Sequence, residues 1–180
     1  GLRVTDLMQG PVYGVDTDES ESDERLSTIF SYDELFGTVL NRFITQAVAN
    51  YPLTVYGKGE QTRGYLNIKD ALNCVRLSLE NPAEQGELKI FNQFTETFTV
   101  NELAVKVQSA AKLIGLNVEI NNIENPRDEL EDHYYKPQHT GLLDLGLDPI
   151  FLTDDVLVKM LEKVVTYKNS IEIHKIYSGT

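Results

Sequence analysis

The chain has 180 residues, 41% of them apolar and 24% charged, enough for one compact domain with a sizeable core and unlike the composition of a disordered chain. A net charge of −12 excludes the broad basic surface that nucleic acid or an anionic membrane requires, though not a small anion held by two or three local cations. A single cysteine, Cys74, excludes a disulfide framework and fits a reducing compartment, and no Cys/His cluster has metal-ligand spacing, so no metal site is expected.

Residues 2–7 read as a buried strand already under way, which suggests that something upstream is missing, and they feed a loop at residues 8–14. Asp16, Asp18, Glu19, Glu21, Asp23 and Glu24 follow. This stretch lacks the central glycine and terminal glutamate of a calcium loop and reads as a solvated loop. From Asp33, Phe36, Leu40, Phe43, Ile44, Ala47 and Val48 fall at helical spacing, and Pro52 marks the stop. Residues 53–56 alternate as a strand, Gly57-Lys58-Gly59 reads as a hairpin turn, and residues 63–68 form its second strand. Asp70 then reads as the cap of a helix running through Leu72, Val75 and Leu79 to Asn81-Pro82.

A short strand is expected over residues 88–91. Thr99 and Glu102 stand at capping-box spacing and open a helix with Leu103, Val107, Ala111 and Ile114 inward, stopped at Gly115. Val118 and Ile120 alternate as a strand. Residues 125–138 are polar and rich in ionisable groups, the composition of a ligand loop. A helical turn through Leu142, Leu143 and Leu145 ends at Gly146, and a last helix from about Thr153 carries Leu157, Leu161 and Val164 inward, before a frayed C-terminus. Strands and helices alternate, yet no strand–glycine-rich turn–helix unit opens the chain, and Gly57-Lys58-Gly59 cannot supply one because no helix begins there. The expected class is α/β, as a single partial domain over residues 1–180.

Several segments carry a resemblance: residues 3–14, Phe36 to Phe43, the stretch 52–70, Phe91-Asn92-Gln93-Phe94-Thr95-Glu96, and Asn125-Pro126-Arg127 with His133-Tyr134-Tyr135. Together they resemble the C-terminal half of the UDP-sulfoquinovose synthases. These are extended short-chain dehydrogenase/reductases of the NAD-dependent epimerase/dehydratase family, related to nucleotide-sugar 4-epimerases and dehydratases. The resemblance implies the last strands of a Rossmann-type sheet with a small substrate-binding α/β subdomain. It implies UDP-glucose and sulfite as substrates, UDP-sulfoquinovose as product, a role in sulfolipid head-group synthesis, and NAD as cofactor bound mainly by an absent N-terminal half. That half would also supply a catalytic Thr and a Tyr-x-x-x-Lys pair. This chain is expected to hold no catalytic residue, no glycine-rich NAD loop and no Tyr-x-x-x-Lys, and so to be inactive alone. The half of a UDP-sugar 4-epimerase or dehydratase, or a non-catalytic remnant, are the alternatives. Self-association, or pairing with the missing half, and a cytoplasmic or plastid-stromal location complete the expectations.

Arg63 is the first candidate, because a guanidinium fork grips a diphosphate bidentately and the matching family arginine contacts it. Arg127 is the second cation. Thr54 and Tyr56, two apart on one strand, share a face and match the positions that flank the uracil, although Tyr56 reads equally well as core. Tyr65 belongs to the same Arg-x-Tyr strand. Asn41 and Arg42 match the place where the first phosphate is met, Gln9 sits where the sugar or nicotinamide end would lie, and Glu129 is placed to accept ribose hydroxyls or to be a plain loop carboxylate. Asp70, His133 and Cys74 are not assigned a functional role.

Overall fold

The computed structural model describes residues 1–33, 35–124 and 136–176. Its strands pair mostly in parallel. β1 (Val4–Gln9) lies beside β5 (Leu88–Gln93), β2 (Val12–Tyr13) beside β4 (Thr62–Asn67), and β3 (Leu53–Tyr56) beside β7 (Ile120–Ile123). β6 (Glu96–Thr99) runs antiparallel to β4. Parallel neighbours need long crossovers, and in each of these three pairs helices lie in the chain between the two strands. α3 (Ile68–Glu80) links β4 to β5, and α4 (Val100–Leu113) links β6 to β7. The chain is α/β, as the alternation predicts.

One core forms where α2 (Val39–Val48), α4 and α6 (Asp154–Thr166) close over β3, burying Leu40, Phe43, Ile44, Leu103, Leu157 and Leu161 completely. Each such side chain contributes ~1.5–3 kcal/mol by leaving water. A second cluster, Leu66, Ala71, Cys74, Leu77, Leu142 and Leu147, lies under α3 and α5 (Gly141–Asp144). The expected capping box is present: Thr99 Oγ1 accepts from the Glu102 amide at 3.1 Å, and Glu102 Oε2 accepts from the Thr99 amide at 2.7 Å.

Several expectations are corrected. The acidic stretch is not a loop but contains α1 (Asp18–Ser22), opened by a Thr17–Ser20 capping box that the run of charges obscures. α2 starts at Val39, capped by Thr38; Asp33 instead turns the preceding chain by accepting from the Leu35 and Phe36 amides, which leaves Phe36 exposed. No hairpin joins β3 to β4, since their partners are β7 on one hand and β2 and β6 on the other. The Gly57–Gly59 connection is instead tied down by amide side chains, Asn101 donating to the Lys58 carbonyl and Asn122 to the Gly57 carbonyl. Gly59, at φ 70°, admits no Cβ, which would lie 2.4 Å from Asn101 Oδ1.

α3 is capped by Asn67, whose Oδ1 accepts from the Lys69 amide, and Asp70 is a buried third residue of the helix. Leu72, Val75 and Leu79 face outward, while Ala71, Cys74, Leu77 and Ser78 pack inward. The first strand, expected buried, is exposed at Val4, Asp6 and Met8, as are Leu88 and Ile90 beside it on β5. The C-terminus is not frayed throughout, because Ile176 is fully buried.

Candidate functional site

Two groups of the predicted residues come together. The first lies where α2 faces β3. Arg42 and Gln46 stand one turn apart, so both project from the same side of the helix. The Arg42 guanidinium carbon sits 4.1 Å from the centre of the Tyr56 ring, and Nη2 donates to the Thr54 carbonyl at 2.9 Å. A guanidinium over an aromatic face gains ~0.5–2 kcal/mol, depending on how far it is desolvated. Tyr56 is therefore half-buried with one face covered by Arg42.

Thr54 shares that face, as its two-residue offset from Tyr56 predicts, but its hydroxyl is not a free hydrogen-bonding edge. It is buried and accepts from Gln46 Nε2 at 2.8 Å, while the Thr54 amide donates to Gln46 Oε1 at 3.1 Å. Gln46 also donates to the Ile176 carbonyl at 3.1 Å. Sequence reasoning missed Gln46; its place four residues beyond Arg42 was the available signal. Asn41 sits in the first turn of α2, its amide donating to Thr38 Oγ1 at 3.2 Å and its Nδ2 to the Ser31 carbonyl at 2.9 Å. Its buried Oδ1 has no hydrogen-bond partner among the described residues.

The second group lies at the start of β4. Arg63 is half-buried, its Nη1 donates to the Thr62 carbonyl at 2.9 Å, and among the described residues it has no carboxylate partner. Gly10 packs against Gly64, with a Cβ on Gly10 falling only 2.5 Å from the Gly64 carbonyl oxygen. Gln9, the last residue of β1 and exposed, is thereby brought to the stretch of β4 that carries Arg63. Tyr65 belongs to the core: it is buried, its ring lies 5.9 Å from that of Phe98, and burial pushes its phenol up, with Arg63 nearby opposing.

Arg127 and Glu129, like His133, lie outside the described residues. They follow β7 in sequence, and Ile123 at its end is the cross-strand partner of Tyr56.

One expectation about spacing needs correction. Tyr65 and Lys69 do stand at Tyr-x-x-x-Lys spacing. The two straddle a strand–helix junction, however, with Tyr65 in β4 and Lys69 in the first turn of α3. Within one helix that spacing puts both side chains on one face. Here Tyr65 enters the core, while the Lys69 ammonium pairs at the surface with Asp18 (2.8 Å) and Glu21 (2.9 Å). The match is one of spacing only.

A cavity of about 360 Å³ lies elsewhere, between residues 27–32, α2 and the end of α6, lined by Phe30, Tyr32, Thr45, Lys163, Tyr167 and Ile171 among others. None of the predicted site residues that are described borders it. Both of its tyrosine hydroxyls are engaged within the chain: Tyr32 accepts from the Glu172 amide, and Tyr167 donates to Glu24.

Comparison with known proteins bears on the family of the chain. The NAD dependent epimerase/dehydratase family matches residues 24–92. UDP-sulfoquinovose synthase, chloroplastic, from Spinacia oleracea is 51% identical over 98% of this chain, and UDP-sulfoquinovose synthase from Sulfolobus acidocaldarius is 47% identical over 97%. The chain spans only 36% and 44% of the length of those relatives. Among solved structures, the Thermotoga maritima UDP-glucose 4-epimerase with UDP-glucose matches with a TM-score of 0.67 and 20% identity, covering 95% of this chain and 48% of that one, a likeness of fold. With two relatives matched along almost its whole length and the family's own pattern recognised within it, the chain belongs to the NAD dependent epimerase/dehydratase family.

Proposed function

We propose that this chain is the UDP-sugar-binding, C-terminal part of a UDP-sulfoquinovose synthase-like enzyme, acting on UDP-glucose with sulfite as the second substrate. The observation that carries the reading is the near-complete match to two proteins of that name from a plant and an archaeon. The geometry supports it. In an acidic chain, a diphosphate needs local cations. Arg63, which has no carboxylate partner among the described residues, is the first of these, and Arg127 from the segment after β7 is the second. Tyr56, with Arg42 laid on its ring, offers an aromatic surface at the end of β3 beside the strand that leads to Arg127 and Glu129. Asn41 holds the Ser31 carbonyl from the head of α2 beside Arg42, and Gln9 is assigned to the end nearest the sugar. Thr54 contributes through the carbonyl that holds Arg42.

Among the described residues, the two glycine turns do not fit the diphosphate of NAD. β1 runs into Gly10-Pro11 and the short β2, and the glycines at 57 and 59 lead into β4, so neither turn opens a helix whose amides could hold a dinucleotide diphosphate. NAD binding and catalysis thus fall to the part of the enzyme this chain does not span. The exposed Val4, Met8, Leu88 and Ile90 on one face of the β1–β5 pair suit cover by that part.

Calorimetric titration of UDP and UDP-glucose into the chain tests the reading. Heat of binding is expected, and Arg63→Ala should abolish it; unchanged affinity in that variant overturns the site. A UDP-sugar-modifying enzyme without sulfite chemistry is the second reading, favoured by partial matches such as the Arabidopsis thaliana UDP-glucuronic acid decarboxylase 2, 35% identical over 63% of this chain. Turnover of UDP-glucose by the whole enzyme, with and without sulfite, separates the two.

A further inference from the structure

The segment from Asp148 to Leu152 crosses the protein outside any helix or strand, and side chains hold it. Four ionisable groups from four elements satisfy the backbone of Ile150 and Leu152. The Tyr13 hydroxyl (β2) lies within donating distance of the Ile150 carbonyl at 2.8 Å and of Glu96 Oε1 at 3.0 Å. Asp70 Oδ2 (α3) accepts from the Ile150 amide at 2.8 Å, and Glu96 Oε1 (β6) accepts from the Leu152 amide at 2.7 Å. Lys106 Nζ (α4) donates to the Leu152 carbonyl at 3.2 Å. Among these Asp70 is anomalous: it is fully buried, and its Oδ1 has no hydrogen-bond partner among the described residues.

We propose that Asp70 is a protonation-controlled latch on this strap, holding it when the carboxyl is neutral and loosening it when ionised. An interior carboxylate with one oxygen unsolvated strongly disfavours its charge. The groups facing it add to this: Glu96 from β6, Asp148 from the strap and the thiol of Cys74 from its own helix contribute no positive charge, Tyr13 is a neutral phenol, and Lys106 grips the far end at Leu152. Burial first, then Asp148 and Glu96, push the Asp70 carboxyl up to about 6, against the pull of the Ile150 amide. Because the folded value is raised, the stabilisation is full below the ordinary carboxylate value and is lost as pH rises through about 6. This inference does not depend on the ligand proposed above.

Amide hydrogen exchange of Ile150 and Leu152, measured by NMR on the 180-residue chain and corrected for the intrinsic rate, tests it. Between pH 5 and 7.5 their protection should fall about ten-fold, from the difference between an ordinary carboxylate and one titrating near 6. Ile150 and Leu152 should stay less protected than the core amide of Val107 in α4 at every pH, the mark of an opening confined to the strap. Asp70→Asn should flatten the profile, Glu96→Gln should keep it with a lower midpoint, and the Asp70 carboxyl carbon should titrate near pH 6. A flat wild-type profile, an equal fall in Asp70→Asn, protection of Ile150 and Leu152 as high as that of Val107, or a carboxyl titrating below about pH 4.5 overturns the latch. If Asp70→Asn does not fold, the wild-type profile and the carboxyl titration decide alone.

Discussion

Replacing Gln46 should expose how β3 is held against α2. Its side chain is fully buried and makes three hydrogen bonds, donating to Thr54 Oγ1 and the Ile176 carbonyl and accepting from the Thr54 amide. Gln46→Ala leaves the Thr54 N–H and the Ile176 carbonyl stranded, each costing ~1–3 kcal/mol when buried, and opens a small cavity besides. The expected loss is ~3–5 kcal/mol, a large share of the ~5–15 kcal/mol typical of a whole domain. Gln46→Met fills much of the volume without the polar atoms, so it isolates the hydrogen-bond contribution, and it should still lose ~2–4 kcal/mol. Urea unfolding followed by near-ultraviolet circular dichroism reads both. The Thr54 amide should also lose hydrogen-exchange protection, since Gln46 is its acceptor. A Gln46→Met protein within ~0.5 kcal/mol of wild type would refute the reasoning, because stranded groups of this kind cannot be that cheap.

Gly10→Ala places a methyl 2.5 Å from the Gly64 carbonyl oxygen, backbone that cannot swing aside as a side chain would, and should cost ~1–3 kcal/mol or more in chemical denaturation. Unchanged stability would mean that residues 9–11 and 63–65 do not pack together. Ile90 is 57% exposed on the face it shares with Val4, Met8 and Leu88, so the chain should self-associate at micromolar concentration in sedimentation equilibrium, and Ile90→Lys should weaken that association. A wild-type monomer at every concentration, or association untouched by the lysine, removes this face as the contact.

The elements most legible in the sequence are those whose signal is local. Thr99 with Glu102 announces α4 because both bonds of the box form within one turn, and Thr153 with Leu157, Leu161 and Val164 announces α6 because one apolar stripe meets one core. Partnership between strands is not local. The alternation in residues 53–56 and 62–67 identifies two strands, and two glycines between them invite a hairpin, yet β3 pairs with β7 beyond α4. At the start of α3, Asn67 and Asp70 are both fit to cap; the chain selects Asn67, and Asp70, three residues on, turns inward to the strap. The site divides the same way. The shared face of Thr54 and Tyr56 follows from strand geometry, whereas the cover that Arg42 gives Tyr56, and the grip of Gln46 on Thr54, depend on how α2 docks.

The reading of β1 as buried and the apolar residues that α3 leaves exposed have a common physical origin. A strand with apolar residues on both faces reads as the interior of a parallel sheet, and an apolar stripe on a helix reads as its packed side. β1 meets the first description, yet it has β5 on one edge and leaves Val4 and Met8 exposed; α3 meets the second, yet Leu79 is 76% exposed. Local pattern and burial agree in the core under α2, α4 and α6, so the rule itself holds in this chain. Where they disagree, the sequence is matched to cover that this chain does not provide. The relatives it matches so closely are more than twice its length. The apolar surface of β1, β5 and α3 therefore supports the proposal that this chain works as one part of a larger enzyme, whose remaining sheet and helices would lie on that surface and bring NAD to the sugar end of the site.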